Sequence, residues 1–272
     1  MKSDLQHLLQ TANNQKQALN WMREYLQARI LAVLQEQGAM IALAFLGGTA
    51  LRFLYQLPRY SEDLDFSLEK SGENYTFRTN LEAISNVLTQ EGYPIQIKFN
   101  DQKTVYHAFI GFPGLLFEFG LSPHVDQNFT IKIEVDTRPP LGAELTTSLI
   151  RYRELFLNIQ HHDKASLLAG KVHAILQRNY LKGRDVFDLV WYLSDRTWPL
   201  PNFQMLNNAL QQTSWEGPQL TASNWKMILY DKLSHSDLAR ARDDVGPFLA
   251  NPENQAFLEW DVIKNLLSDP DD

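Results

Sequence analysis

The chain has 272 residues, of which 44% are hydrophobic and 21% charged, with a formal net charge of −7 and no cysteine. That length supports one large domain or two modest ones, with enough chain to bury a proper core. The composition excludes disulfides and thiolate metal sites, and the acidic balance excludes nucleic-acid binding over the whole surface. A site for a polyanion therefore has to be local. No apolar run is long enough to span a bilayer, and MKSDLQHLLQTANNQKQ lacks the basic-then-apolar pattern of a signal peptide. With no cysteine, this fits a protein of the reducing cytoplasm with no membrane partner.

In chain order, residues 14–37 carry apolar side chains at helical spacing, with Leu19, Met22, Leu26, Ile30 and Val33/Leu34 on one side. Gly38 ends that helix. IALAFL (41–46) reads as a short buried strand broken by Gly47-Gly48, and Thr49 as the N-cap of a helix over ALRFLYQL. Pro58 stops that helix, and LDFSL (64–68) is the next strand. A helix over 75–91, closed by Gly92, precedes four strands: PIQIKF (94–99), TVYHAFIGF (104–112), LLFEFGL (115–121) and FTIKIEVDT (129–137). Pro139-Pro140 and Gly142 mark a change of composition. Beyond about residue 150 the pattern is almost wholly helical, with helices near 162–179, 184–195, 202–213, 222–233, 237–249 and 253–267. The plan is α+β first and a helical bundle second, divided near 140–155, so that residues 1–150 and 151–272 form two domains.

Chemistry concentrates in FLGGTALRFLYQLPRYSEDLDFSLE (45–69). In an extended segment Asp63 and Asp65 point to the same face, about 6.5–7 Å apart along the strand, while Leu64 and Phe66 anchor the other. Two carboxylates so placed suit hard divalent cations, and two-metal phosphoryl transfer needs such a cluster. An exposed turn produces the same D-x-D pattern. The glycines favour the site: Gly47-Gly48 at a strand-to-helix junction lets backbone approach a ligand, and the helix start presents unpaired N–H groups to a phosphate. Thr49 adds a hydroxyl there. Glu62 is read as an ion-pair partner of Arg52 or Arg59. A third carboxylate comes from 129–137, where Lys132, Glu134 and Asp136 share one face; Glu134 is preferred, with Asp136 as the alternative.

From Arg151 to Arg184 seven Lys/Arg stand against only Glu154 and Asp163. Within that stretch Lys164, Lys171 and Arg178 recur every seven residues, and Asp185 and Asp188 follow at i, i+3 on the next helix. Two readings apply: a lysine neutralises triphosphate charge with an aspartate orienting it, or the stripe is an ion-pair ladder.

These segments together resemble a known family. GGTALRFLY, RYSEDLDF, KVHAILQR and GRDVFDL occur in the order found in the AbiEii/AbiGii-type nucleotidyltransferase toxins, over residues about 40–195. The resemblance implies an α+β fold, with a nucleotidyltransferase-type mixed sheet core behind an N-terminal helix, followed by an all-helical C-terminal half. It implies that Gly47, Gly48 and Thr49 hold nucleotide phosphates, with Arg52 of the same motif beside them. Asp63 and Asp65 would bind Mg²⁺ or Mn²⁺ with Glu134 as the weakest of the three transfers. Lys171 would contact the triphosphate, with Lys164 as its alternative, and Asp185, or else Asp188, would be the final acidic residue. The expected substrate is an NTP, the expected acceptor in some members a tRNA 3′ end, and the expected partner a cognate antitoxin. The rival readings are a nucleotide- or partner-binding scaffold without turnover, against which the intact Asp63/Asp65 pair argues, and a nucleotidyltransferase that is not a toxin.

Overall fold

The structure, a computed structural model, describes residues 2–69 and 75–268. It divides into two compact units that interleave along the chain, one made of residues 1–54, 60–139 and 147–161, the other of 55–59, 140–146 and 162–272.

The first unit starts with α1 (Lys2–Gln10) and α2 (Gln15–Glu36). Asn14 caps α2 in extended conformation, its side chain accepting from the Gln17 N–H. The expected stripe of Met22, Leu26, Ile30, Val33 and Leu34 is buried, and from Tyr25 to Leu34 the helix is buried all round. Polar residues in that stretch therefore need partners. Gln27 donates to the carbonyls of Ser61 and Glu62 at 3.1 and 2.9 Å, and Arg29 pairs with Glu91. Gln27 thereby fixes the segment just before the acidic strand.

After α2 come β1 (Leu43–Leu46), α3 (Gly47–Tyr55), β2 (Asp63–Leu68), α4 (Phe77–Gln90), β3 (Gln96–Asn100), β4 (Val105–Phe112), α5 (Leu115–Glu118), β5 (Phe129–Asp136), β6 (Leu145–Tyr152) and β7 (Leu155–His162). The strands form one mixed sheet in the order β3-β4-β5-β2-β1-β7-β6. β2 runs antiparallel to β1 and parallel to β5, and β1 runs parallel to β7. Leu64 and Phe66 of β2 and Ile131, Ile133 and Val135 of β5 are buried on one face. Phe77 of α4 packs on Phe99 and Tyr106 of that same face, and Arg23 of α2 lies over Phe129. The alternate residues Asp63, Asp65, Lys132 and Glu134 are half-buried on the other face.

Three sequence expectations are corrected here. β1 starts at Leu43, because 39–41 form a 3₁₀ turn that leaves Ile41 exposed. LLFEFGL is a helical turn, not a strand: Gly114 turns the chain at φ +73°, and the N–H groups of Glu118 and Phe119 donate to the carbonyls of Gly114 and Leu115 four residues back. The chain around 150 is not helical. It forms β6, none of whose residues is buried, and β7, whose Leu157, Ile159 and His161 are buried at period two.

The second unit contains α6 (Lys164–Gln177), α7 (Gly183–Ser194), α8 (Phe203–Gln212), α9 (Trp225–Ser234), α10 (Leu238–Val245) and α11 (Trp260–Leu267). Short 3₁₀ turns at 246–248 and 252–258 replace parts of the last two expected helices. α7 starts against α10: the Gly183 N–H donates to Asp244 at 2.9 Å, and a Cβ at 183 would lie 1.7 Å from the Ala241 carbonyl oxygen. Gly183→Ala is expected to push the two helices apart and to destabilise the unit by about 1–3 kcal/mol, measured as a lower urea midpoint than wild type.

Candidate active site

The site in the first unit is built on the junction of β1 with α3. At Gly47 the backbone turns with φ +79°, in the left-handed region, and α3 begins there. Leu46 pairs in register with Asp65 of β2, which brings the Asp65 carboxylate to the turn. A Cβ on Gly47 would lie 2.5 Å from Asp65 Oδ2 and 3.3 Å from Asp65 Cγ. The glycine is required by conformation and by space at once. Gly48 and Thr49 are buried in the first turn of α3, so Thr49 is inside the helix and not its N-cap as the sequence suggested. Its hydroxyl donates to the Asp63 carbonyl. The Gly47-Gly48-Thr49 segment and the strand carrying Asp63 and Asp65 are thereby joined at two points.

Along β2, Asp63 and Asp65 project from one face, flanking the buried Leu64. Across the parallel pairing, Asp63 is opposite Lys132, Asp65 opposite Glu134, and Ser67 opposite Asp136. Of the two candidates for a third carboxylate, Glu134 is therefore the one beside Asp65. Asp136 lies a rung further on and accepts from the Arg138 N–H at 2.9 Å. The carboxylates Asp63, Asp65 and Glu134 form a set of hard oxygen donors that suits Mg²⁺ or Mn²⁺ rather than a soft ion. Asp63 and Asp65 would hold the ion, joined by Glu134. Among the described residues no three His, Asp or Glu side chains are already gathered into a metal cluster. Glu134 is turned to Lys132, 2.8 Å from its ammonium.

Lys132 is a member of this face that neither the motifs nor the resemblance singled out. Burial works against its charge, but the hydrogen bond and charge of Glu134, followed by the charges of Asp63 and Asp65, carry its pKa above the ordinary lysine value. The only sequence signal for it was its parity with Glu134. Arg52 pairs with Glu24 at 2.6 Å and lies 4.6 Å from the centroid of the Tyr60 ring, which braces α3 against α2. Glu62 lies 3.7 Å from Arg23.

In the second unit Lys171 of α6 stands 3.0 Å from Asp185 and 2.7 Å from Asp188, both of α7. Arg59 grips Asp188 with two hydrogen bonds of 2.6 Å, and Arg178 pairs with Asp185. Arg59 and Asp188 are fully enclosed, at 2% and 0% exposure. Burial pushes the Asp185 carboxyl up, but Lys171 and then Arg178 outweigh it and hold its pKa below 3.8. Burial likewise pulls the Lys171 ammonium down, and Asp188 and Asp185 more than reverse that. Lys164 is elsewhere, its ammonium 4.2 Å from the centroid of the Trp198 ring and 5.2 Å from that of Tyr55. The seven-residue stripe ends at Lys171, since Arg178 follows the last turn of α6 in extended conformation. Arg184 lies over Phe248. Four of the cations between 151 and 184 are thus engaged with carboxylates or rings inside this unit.

Comparison with known proteins agrees with this architecture. The family described as nucleotidyl transferase AbiEii toxin, of a type IV toxin–antitoxin system, matches residues 29–260. No curated protein matches the chain. Among solved structures, JHP933 from Helicobacter pylori is similar with a TM-score of 0.51 at 18% identity, covering 91% of this chain and 91% of that one. A candidate nucleotidyltransferase from H. pylori is similar with a TM-score of 0.50 at 17% identity, covering 90% of this chain and 92% of that one. The fold is shared with both. No helix among the described residues is long and apolar enough to cross a membrane.

Two outcomes follow from the geometry. Gly47→Ala is expected to displace Asp65 and strain the turn, lowering stability by about 1–3 kcal/mol, read by thermal unfolding. Lys171→Met is expected to cost about 1–3 kcal/mol, because Asp185 and Asp188 each lose a buried hydrogen-bonded partner and keep only Arg178 and Arg59. Asp185 has a lowered folded pKa, so its contribution is complete above 3.8 and disappears as pH falls through the folded value. Lys171 has a raised folded pKa, so its contribution is complete below 10.5 and is lost as pH rises through the folded value. Urea unfolding of wild type and variant from acid to alkaline pH should therefore show the gap between them closing at both extremes.

Proposed function

Because the chain belongs to the AbiEii nucleotidyl transferase toxin family, we propose that it transfers a nucleoside monophosphate from an NTP to an acceptor hydroxyl, and that it is the toxin half of a toxin–antitoxin pair. The observation that carries this reading is the close approach of Gly47 to Asp65, with a helix N-terminus starting at the same residue. Phosphate-binding backbone and a paired carboxylate face are wanted side by side in metal-assisted phosphoryl chemistry, and the family match narrows this to nucleotidyl transfer.

In this reaction the acceptor oxygen forms a bond to the α-phosphorus, the bond from that phosphorus to the bridging oxygen breaks, and pyrophosphate departs. The acceptor proton is given up to solvent. Asp63, Asp65 and Glu134 would hold Mg²⁺ or Mn²⁺, which when bound supplies charge neutralisation at the phosphates and polarises the attacking oxygen. The chain's own residues do the positioning. The first turn of α3, at Gly47 and Gly48, offers backbone N–H groups and the positive end of the helix to the phosphates. Thr49 holds β2 in register through the Asp63 carbonyl.

A tRNA 3′ end is the proposed acceptor, and the proposed partner is an antitoxin encoded beside this chain. Lys171 and Asp185 act in this reading through the ion-pair group of α6 and α7.

The test is incubation with each α-labelled NTP and Mg²⁺, with total tRNA or with the protein alone. Label transfer by wild type, reduced at least about a thousandfold by Asp65→Asn, is the expected result. Full transfer by Asp65→Asn, or no transfer with any NTP and acceptor, overturns the mechanism.

A further inference from the structure

The Lys132–Glu134 pair gives the carboxylate face a function beyond holding a metal. Lys132 and Glu134 are 29% and 32% exposed, so the pair is neither solvated away nor sealed in the core. Lys132 stands opposite Asp63 and Glu134 opposite Asp65, which places three carboxylates and one ammonium on two alternate rungs of β2 and β5. Without the ammonium, three like charges on adjacent strands would repel one another. With it in place, Glu134 Oε1 is already engaged and the carboxylate's charge is offset. The lysine stem is flexible, and its ammonium already lies over the Phe109 ring of β4, 5.9 Å from the centroid, with that ring 42% exposed, so it keeps one favourable contact on leaving Glu134.

We propose that Lys132 is a resident counter-ion that a divalent cation has to displace from Glu134, so that Lys132 sets the metal affinity of the site. Asp63 and Asp65 bind first, and Glu134 joins only after Lys132 has moved away. The proposal rests on the metal-site reading given above. It makes full use of the carboxylates conditional: the ammonium offsets the charge of Glu134 until an ion carrying two charges displaces it.

The test is a Mn²⁺ titration of the whole chain without NTP, following the electron paramagnetic resonance signal of free Mn²⁺. Lys132→Met is expected to bind Mn²⁺ about tenfold tighter than wild type, the modest effect of one nearby unit charge at a half-exposed site. Lys132→Arg keeps the charge and is expected to stay within about threefold of wild type. The double variant Lys132→Met/Glu134→Gln should lose the gain, since the lysine acts through that carboxylate. A larger rise in melting temperature on Mn²⁺ addition for Lys132→Met than for wild type shows the same effect in folded protein. Equal or weaker Mn²⁺ binding by Lys132→Met, or an equal gain for Lys132→Arg, overturns the counter-ion role. If wild type still binds Mn²⁺ and Asp65→Asn does not, the metal site itself survives that result. Absence of Mn²⁺ binding in every variant overturns both readings.

Discussion

Asp65 and Gly47 approach so closely that no side chain fits between them, and the geometry of the first unit's site follows from that approach. β1 and β2 pair with Leu46 opposite Asp65, so the turn leaving β1 is carried to the carboxylate by the sheet itself. The turn needs a left-handed residue and the carboxylate needs the space, and glycine satisfies both. Thr49 then ties the first turn of α3 to β2, and Gln27 of the buried α2 holds the two residues that precede β2. The glycine turn and the carboxylate face keep their separation because the elements carrying them are locked together, by strand pairing and by side chains that donate to main-chain carbonyls.

Charge is handled differently in the two units. On β2 and β5 three carboxylates face one ammonium and stay half-exposed, so water screens them and their arrangement can still respond to a cation. In the second unit Arg59, Lys171, Arg178, Asp185 and Asp188 form one connected network of ion pairs, with its central carboxylate at 0% exposure. Such a network holds its members in one geometry, because each buried aspartate is gripped by two cations at once. The first arrangement suits a site that binds and releases ions. The second suits a scaffold that keeps α6 against α7.

Helices with long apolar periods, α2 and α6 to α9, were legible from sequence to within a few residues, because their periodicity is a local property repeated over several turns. The strand pattern of β5 was legible for the same reason at period two. LLFEFGL was not, since a run of adjacent apolar residues fits a strand or a single helical turn equally and only the backbone hydrogen bonds separate them. β6 was hidden because an exposed edge strand has no buried face to mark it, and β7 because two histidines at its end break the apolar run. The stripe of Lys164, Lys171 and Arg178 was correct in spacing and misleading in grouping. The helix ends before Arg178, and Lys164 and Lys171 meet different neighbours.

The sequence by itself determined that Asp63 and Asp65 share a face and that two glycines precede them, because alternation along a strand and the freedom of glycine are properties of the local chain. It also carried the ordered motifs by which the family is recognised. Only the tertiary structure decided what stands beside those residues. The parallel register of β2 with β5 puts Glu134, and not Asp136, next to Asp65, and brings Lys132 into the carboxylate face. Pairing register is set by packing between segments some seventy residues apart, and a shift of one rung would change every partner while leaving the local spacing intact.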